Sequence, residues 1–501
     1  MAISANFEQY DINLQQKFIK TQSIVECRLA DWSQNKILAV NATVSLTSSE
    51  SLSGEIHYGG KIYFSVLAST PEGLVTGAER AVEFSHKLSS DEIAPATPSE
   101  ITLKVEKVEI RIDGKSQILS AIVSATATLL NERRIFCLTG GENVVINDAD
   151  APIKRVNLYK DTIEIEEEFE TEYLGDVLSH SESAYINKVI AGNGSVEISG
   201  EIALGILAKR AGEKELVSFE RLVPFKAEIP AESSQINFCA DANAFVKQVN
   251  ISANCDEDKN KSEIVATALV EVCLKVYENQ SLLIAKDAFS PTNECEISKE
   301  SITFDNPKTN FCVNEKVSGT SALVGEIDFS CNMQAVTAPQ LEITAQVGEN
   351  GEIVVEGVLG ASILFTDSQG MPSSVVSSLP FAFPVKCEKA QKGDKVAVSG
   401  IVCGIYAKQK REGEIEIDAT LKTHIKVYTP QTVSYVCKID EKEEIPEKEC
   451  AISVYLAEEG DGLWEVAKKL KKPPEEVKKY NPELNYPLEK PERIIIYRRK
   501  E

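Results

Sequence analysis

Three stretches of this 501-residue chain alternate apolar and polar residues for too long to be anything but strand. Ile264, Ala266, Ala268, Val270, Val272, Leu274 and Val276 form one; Ile415, Ile417, Ala419, Leu421, Thr423, Ile425 and Val427 form another. Leu119, Ala121, Val123, Ala125, Ala127 and Leu129 form the third. A period of two sustained this way demands one buried and one solvated face, as in antiparallel sandwiches or barrels. Each stretch follows a copy of one pattern, Gly-x-apolar-x-apolar-x-Gly, with a leucine seven residues on. The copies are Gly54 to Gly60 with Leu67, Gly194 to Gly200 with Leu207, and Gly351 to Gly357 with Leu364. Glycines inside strands suggest bulges or close backbone approach.

Helical periodicity is scarce before Ala451. The expected fold is therefore mainly β: three tandem antiparallel β-sandwich or barrel-like repeats over 14–145, 155–295 and 310–438. Polar breaks mark the joints at Asn147 to Pro152, Ser290 to Asn293 and Asp305 to Lys308. Residues 439–450 read as a charged linker, which charge and proline should keep extended. A small α+β module with the order strand, helix, helix, strand is expected over 451–497.

That module is built by local rules. Leu463, Val466, Ala467 and Leu470 fall at i, i+3, i+4 and i+7, one apolar helix face. Gly462 is an acceptable N-cap, with Glu465 three residues on. Pro473-Pro474-Glu475-Glu476 opens a second helix, with proline and acidic groups at its positive end and Lys478 and Lys479 toward the other. Trp464 is expected to pack between the helices and the two-stranded sheet rather than to stack on a ligand, because so small a module needs its aromatic burial.

Charge bounds the partners. The formal net charge is −24, and it is unevenly spread. From Ala451 onward 11 basic residues face 10 acidic ones, which leaves 42 against 67 in the first 450. Such acidity argues against nucleic acid or an anionic membrane as a ligand of the main body and favours a basic or mixed protein partner. The N-terminal residues lack a basic start and an apolar run, so no secretory leader is expected, and no stretch is apolar enough for membrane insertion. Twelve scattered cysteines without a C-x-x-C pair read as reduced thiols, consistent with a cytoplasmic chain.

Motifs for chemistry are missing. Gly114-Lys115-Ser116 ends like a phosphate loop, but Glu109 stands where the first glycine is required, and Asp113-Gly114 reads as a hairpin turn. His57, His86, His180 and His424 are far apart, and His424 falls on the polar face of its strand, where a solvated or locally bonded histidine is expected. The acidic run Glu164, Glu166, Glu167, Glu168, Glu170 and Glu172 reads as a solvated strand face rather than a calcium loop. Lys468 to Lys472 reads as a solvated helix end or a contact for an acidic partner. No enzyme activity, catalytic residue, cofactor or metal site is expected.

The segment from Val454 through Gly460-Asp461-Gly462-Leu463-Trp464-Glu465-Val466-Ala467 to Asn481-Pro482 and Arg493-Ile494-Ile495-Ile496-Tyr497 resembles the LysM module. LysM modules bind N-acetylglucosamine-containing glycans and, in some families, proteins. The resemblance places a partner- or glycan-binding edge at Gly460, Asp461, Gly462 and Leu463 together with Glu483, Leu484 and Asn485. Repeated β units followed by one such module resemble the SipL-type spore coat morphogenetic proteins, whose repeats are called SPOCS domains (DUF3794). That resemblance spans essentially the whole chain. It implies a non-enzymatic scaffold of endospore coat assembly in the mother-cell cytoplasm at the forespore surface. Its LysM-like module would dock to a coat-basement ATPase. The alternative it leaves is a glycan-binding protein recognising cortex or cell-wall peptidoglycan.

Overall fold

The structure is a computed structural model that describes residues 2–30, 32, 34–114, 116–210, 214–256, 261–322, 332–367, 369–411, 414–446 and 452–497. The first body of strands comprises β1 (Ser4–Leu29), β2 (Lys36–Leu52), β3 (Glu55–Ser69), β4 (Val75–Ser89), β5 (Ser99–Asp113) and β6 (Ser116–Glu142). The second comprises β7 (Val145–Glu172), β8 (Leu174–Ala191), β9 (Ser195–Arg210), β10 (Leu216–Pro230), β11 (Cys239–Asp256) and β12 (Lys261–Phe289). The third comprises β13 (Asn293–Ala322), β14 (Asn332–Val347), β15 (Ile353–Thr366), β16 (Pro372–Val385), β17 (Lys395–Arg411) and β18 (Glu414–Glu444). Each body holds two three-stranded antiparallel sheets in one recurring order: β1-β6-β5 with β2-β3-β4, β7-β12-β11 with β8-β9-β10, and β13-β18-β17 with β14-β15-β16. Each pair of sheets closes on its own apolar core.

The alternating stretches are the inner faces of β6, β12 and β18, with no alternating residue more than 7% exposed. The glycine pattern resolves into three jobs. Gly54, Gly194 and Gly351 turn the chain at φ of +79°, +78° and +76°, a region costly for any residue with a Cβ. Gly60, Gly200 and Gly357 sit directly opposite Phe84, Phe225 and Phe381 on the next strand. A Cβ there would lie 2.4, 2.4 and 2.7 Å from the respective phenyl ring, so each glycine is covered by an aromatic neighbour. Leu67, Leu207 and Leu364 meet in a single buried cluster shared by all three bodies.

That shared cluster reveals an association the sequence reading lacked. The bodies converge on a common centre rather than follow one another as spaced modules. A second junction gathers Ile12, Ile135 and Cys137 from the first body, Ala151, Ile153, Leu282 and Ile284 from the second, and Ile302, Phe304, Val433 and Tyr435 from the third. These residues lie on the overhanging ends of the long first and last strands, which run on as paired ribbons. Asn13, 7% exposed, ties β1 to β7 by donating to the Val156 carbonyl at 2.6 Å and accepting from its N–H at 3.1 Å.

The ribbons also move the expected joints. Strands begin at Ser4, Val145 and Asn293, not at 14, 155 and 310. Asn147 to Pro152 belongs to β7, paired with β12, and Asp305 to Lys308 belongs to β13, where Pro307 sits at a bulge that needs no ladder N–H. Part of the expected linker is strand too: Ile439, Asp440 and Glu441 pair with Ile297, Glu296 and Cys295, while residues 447–450 lie outside the described ones. The residues around Ser290 to Thr292 do form a break between strands. No helix among the described residues is long and apolar enough to cross a membrane.

Candidate docking edge of the C-terminal module

The last segment folds as β19 (Ile452–Ala457), α1 (Leu463–Leu470), α2 (Pro474–Tyr480) and β20 (Glu492–Tyr497), with β19 and β20 antiparallel. Val466, Ala467, Val477, Leu488, Ile494 and Ile496 make its core. Asn481, 1% exposed, locks the end of α2 to β20: its amide donates to the Val477 and Ile495 carbonyls at 2.9 Å each and accepts from the Ile495 N–H at 2.8 Å. Gly462 caps α1 without a side-chain bond, and a Cβ on it would meet the Glu465 carboxylate at 2.4 Å. Glycine there gives Glu465 room to lie back over the helix start.

The 460–463 loop is tied to Leu488, just beyond the expected 483–485 loop. Gly460 donates to the Leu488 carbonyl at 2.8 Å, and the Leu488 N–H returns a bond to the Asp461 carbonyl at 3.1 Å. Gly460, Glu483 and Asn485 are exposed; Asp461, Gly462, Leu463 and Leu484 are partly buried. Leu463 and Leu484 lean on the module core, so they shape the edge more than they present it. Asp461 is structural as well. Its carboxylate accepts from the Glu458 N–H at 3.0 Å and from Lys469 at 3.2 Å, and these bonds hold its pKa below the usual carboxylate range. Beside this edge, β19 presents Ile452, Val454 and Leu456 at 55%, 62% and 64% exposure, with Tyr497 across from Ile452.

The first helix of the module is committed to the body. Trp464 does not pack wholly inside the module as expected. Its ring lies 5.3 Å from that of Phe289 at the end of β12, and its Nε1 donates to Asp287 at 2.9 Å. Lys468 donates to both Asp287 oxygens at 2.8 and 2.7 Å, and Lys471 reaches Glu294 at 2.9 Å. Burial pushes the Asp287 carboxyl up, but the bonds from Lys468 and Trp464 outweigh it and leave its pKa below the ordinary value. The lysine run is thus not a free basic patch, since Lys469 pairs with Asp461 and Lys472 with Glu476. Sequence reasoning missed Asp287 because only the β-bulge between Ala285 and Asp287 aims it at the module.

The histidines divide among different roles. His57 pairs with Glu55 at the surface. His180 joins two bodies, held between Glu79 at 2.9 Å and Glu182 at 2.8 Å; burial opposes its charge, yet the two carboxylates raise its pKa to about 10. His424 corrects the expectation of a solvated side chain. It is 2% exposed, with its ring edge-on to Tyr185 of the second body at 6.4 Å. Burial, then the Lys426 charge, push its pKa down to about 4. The polar face of β18 is buried because it meets the second body: Lys426 pairs with Asp241 and donates to the Ala242 carbonyl, and Lys422 reaches Glu201. Five alternating glutamates of the run on β7, from Glu164 to Glu172, are exposed, whereas Glu167 lies on the other, half-buried face. No cluster of histidine, cysteine and carboxylate able to hold a metal occurs among the described residues.

No family model, no curated protein and no solved structure matches this chain.

Proposed function

We propose that this protein is a non-enzymatic scaffold that docks a protein partner through the outer edge of its C-terminal module. The observation that carries this reading is the exposed apolar face of Ile452, Val454 and Leu456 on the strand that leads into the loop at 460–463, which is tied to Leu488 just beyond 483–485. Exposed contiguous apolar surface marks protein-interaction sites, whereas glycan loops do not need it. The body suits a rigid platform, because its bodies share buried clusters and the module is anchored to them by Asp287 and Phe289. With the resemblance to SipL-type proteins and LysM modules, the partner is a coat-basement ATPase at the forespore surface, met in the mother-cell cytoplasm.

Glu483→Ala with Asn485→Ala tests the edge, since both side chains are exposed and outside the module core. The double variant should keep its circular dichroism spectrum and weaken capture of the purified coat ATPase at least tenfold, about 1.4 kcal/mol. Unchanged capture by the folded variant removes the loops from the interface. Strong retention of the unmutated protein on purified peptidoglycan would favour the glycan-binding alternative.

A further inference from the structure

The three bodies close on one another head to tail: β4 faces β8, β10 faces β14, and β16 faces β2. Positions match by register. Gly77 stands opposite Leu67, Ser218 opposite Leu207, and Ser374 opposite Leu364. Each seam partner carries one extra, bulged residue: Leu178 in β8, Gln334 in β14 and Leu38 in β2. Two seams are shut. A Cβ on Gly77 would lie 1.9 Å from the Leu178 carbonyl oxygen, and the Ser374 hydroxyl donates to the Leu38 carbonyl. Leu38 and Leu178, each 5% exposed, fill the central leucine cluster. Gln334 instead turns its amide to the Thr366 hydroxyl at 2.6 Å. Its seam holds a groove of about 270 Å³, bordered by Ser218 and Gln334, which runs into a second of about 190 Å³ past Ser181, Gly205, Glu220 and Pro339.

The groove's polar groups are unevenly satisfied. Ser179, 6% exposed, lines it with a hydroxyl that has no hydrogen-bond partner among the described residues. Glu220 accepts the Ile405 N–H at 3.1 Å, but among the described residues no lysine, arginine or histidine forms an ion pair with it. Neighbouring cations are taken: His180 lies between Glu79 and Glu182, and Arg221 lies over the Phe169 ring at 4.5 Å. Its apolar lining comes from Phe219, Met333, Val336, Pro339 and the exposed Tyr406, with the nearly fully buried Ile206, Leu207, Ile363 and Ile405 behind. At about 270 Å³ the main chamber is smaller than sites for drug-sized ligands and suits one long side chain.

We propose that this groove binds an ammonium or guanidinium group carried on an aliphatic chain, the cation on Glu220 and the groove's hydroxyls and the stem on its apolar lining of Phe219, Val336, Pro339 and Tyr406. The net charge of −24 draws such a ligand in. Two sources share this chemistry, a lysine or arginine of a partner's extended segment and a free diamine.

Isothermal titration of the full chain at physiological ionic strength tests the site, with cadaverine and the pentapeptide acetyl-Ala-Ala-Lys-Ala-Ala-amide as probes. The norleucine pentapeptide serves as the uncharged control. Saturable binding with a Kd of about 1 mM or tighter is expected for at least one probe, and none for the control. Tighter peptide binding identifies a protein source, and tighter cadaverine binding a free amine. Glu220→Gln should weaken binding at least tenfold. Gln334→Leu, which restores the leucine of the other two seams, should abolish it without lowering the melting temperature. Should that variant fold poorly, Ser218→Leu fills the groove from its rim and should have the same effect. The proposal is overturned if neither probe saturates, if the control binds equally, or if folded Glu220→Gln or groove-filled protein binds as the unmutated chain does.

Discussion

Replacing Asp287 with alanine should undock the C-terminal module while leaving it folded. Asp287 is the one carboxylate that Trp464 Nε1 and Lys468 both address, at 2.9, 2.8 and 2.7 Å. A hydrogen bond to a charged group contributes about 1.5–3 kcal/mol. With the Asp287 side chain 18% exposed and Lys468 40%, water recovers part of what is lost, so the three bonds together should be worth about 2–3 kcal/mol of docking. That raises the undocked population about 30- to 150-fold. Asp287→Asn keeps an acceptor for the indole but not the charge, and should fall between. Two tryptophans simplify the assay. In a Trp32→Phe background the emission of Trp464 reports directly on its contact with Phe289 and should shift red on undocking. Limited proteolysis between Ile445 and Ile452 should accelerate in parallel, because cleavage tracks the open population when reclosing is fast. The pH dependence has a fixed sign. The Asp287 pKa is lowered in the folded state, so its contribution is present above the ordinary carboxylate range and fades as pH falls through the depressed value. An unchanged emission maximum and cleavage rate in Asp287→Ala would refute the latch.

Other consequences follow from the shared centre and its histidines. Leu67→Ala, Leu207→Ala and Leu364→Ala should each cost about 2–5 kcal/mol by chemical denaturation, and double variants should depart from additivity because the three side chains occupy one cluster. Independent bodies would instead give additive losses and separate transitions. His424 has a folded pKa near 4, below its unfolded value, so stability should fall as pH drops from about 6.5 to 4, and His424→Phe should flatten that fall in pH-dependent thermal melts. His180 behaves oppositely: its folded pKa of about 10 gives stability fully present below about 6.5 and lost as pH rises through 10, a loss His180→Gln should remove.

Patterns that act within one body were legible in the sequence. Alternation identified the inner faces of β6, β12 and β18, and a 3.6-residue period with proline and acidic groups at helix starts identified α1 and α2. What escaped was everything set by contact between bodies. Asn147 to Pro152 looks like a joint because asparagine, aspartate and proline favour turns, yet in β7 the opposing β12 supplies the ladder. His424 looks solvated because a period of two tells which residues share a face but not what that face meets. The candidate edge is a mixed case. The loops at 460–463 and 483–485 were placed by resemblance, whereas the anchoring of Trp464 to Asp287 depends on a bulge that leaves no periodic trace.

The head-to-tail closure gives a reason for three unequal copies in one chain. Three identical subunits joined the same way would have three identical seams, all shut or all open. Covalent linkage lets one seam differ. Leucine at 38 and 178 spends its side chain on the common cluster and brings the backbones together. Glutamine at 334 satisfies its amide locally on Thr366, removes one apolar wedge from the centre, and keeps that seam apart. The stability forgone is that of one buried leucine, about 1.5–3 kcal/mol, against a centre held by clusters contributed from all three bodies. Such a loss is tolerable only because Leu67, Leu207 and Leu364 remain in contact. The melting temperatures should follow the same order: Gln334→Leu above the unmutated chain, and Leu38→Gln or Leu178→Gln well below it. Differential scanning calorimetry reads this order directly, and a Leu178→Gln protein as stable as the parent would show that the seams do not share one centre.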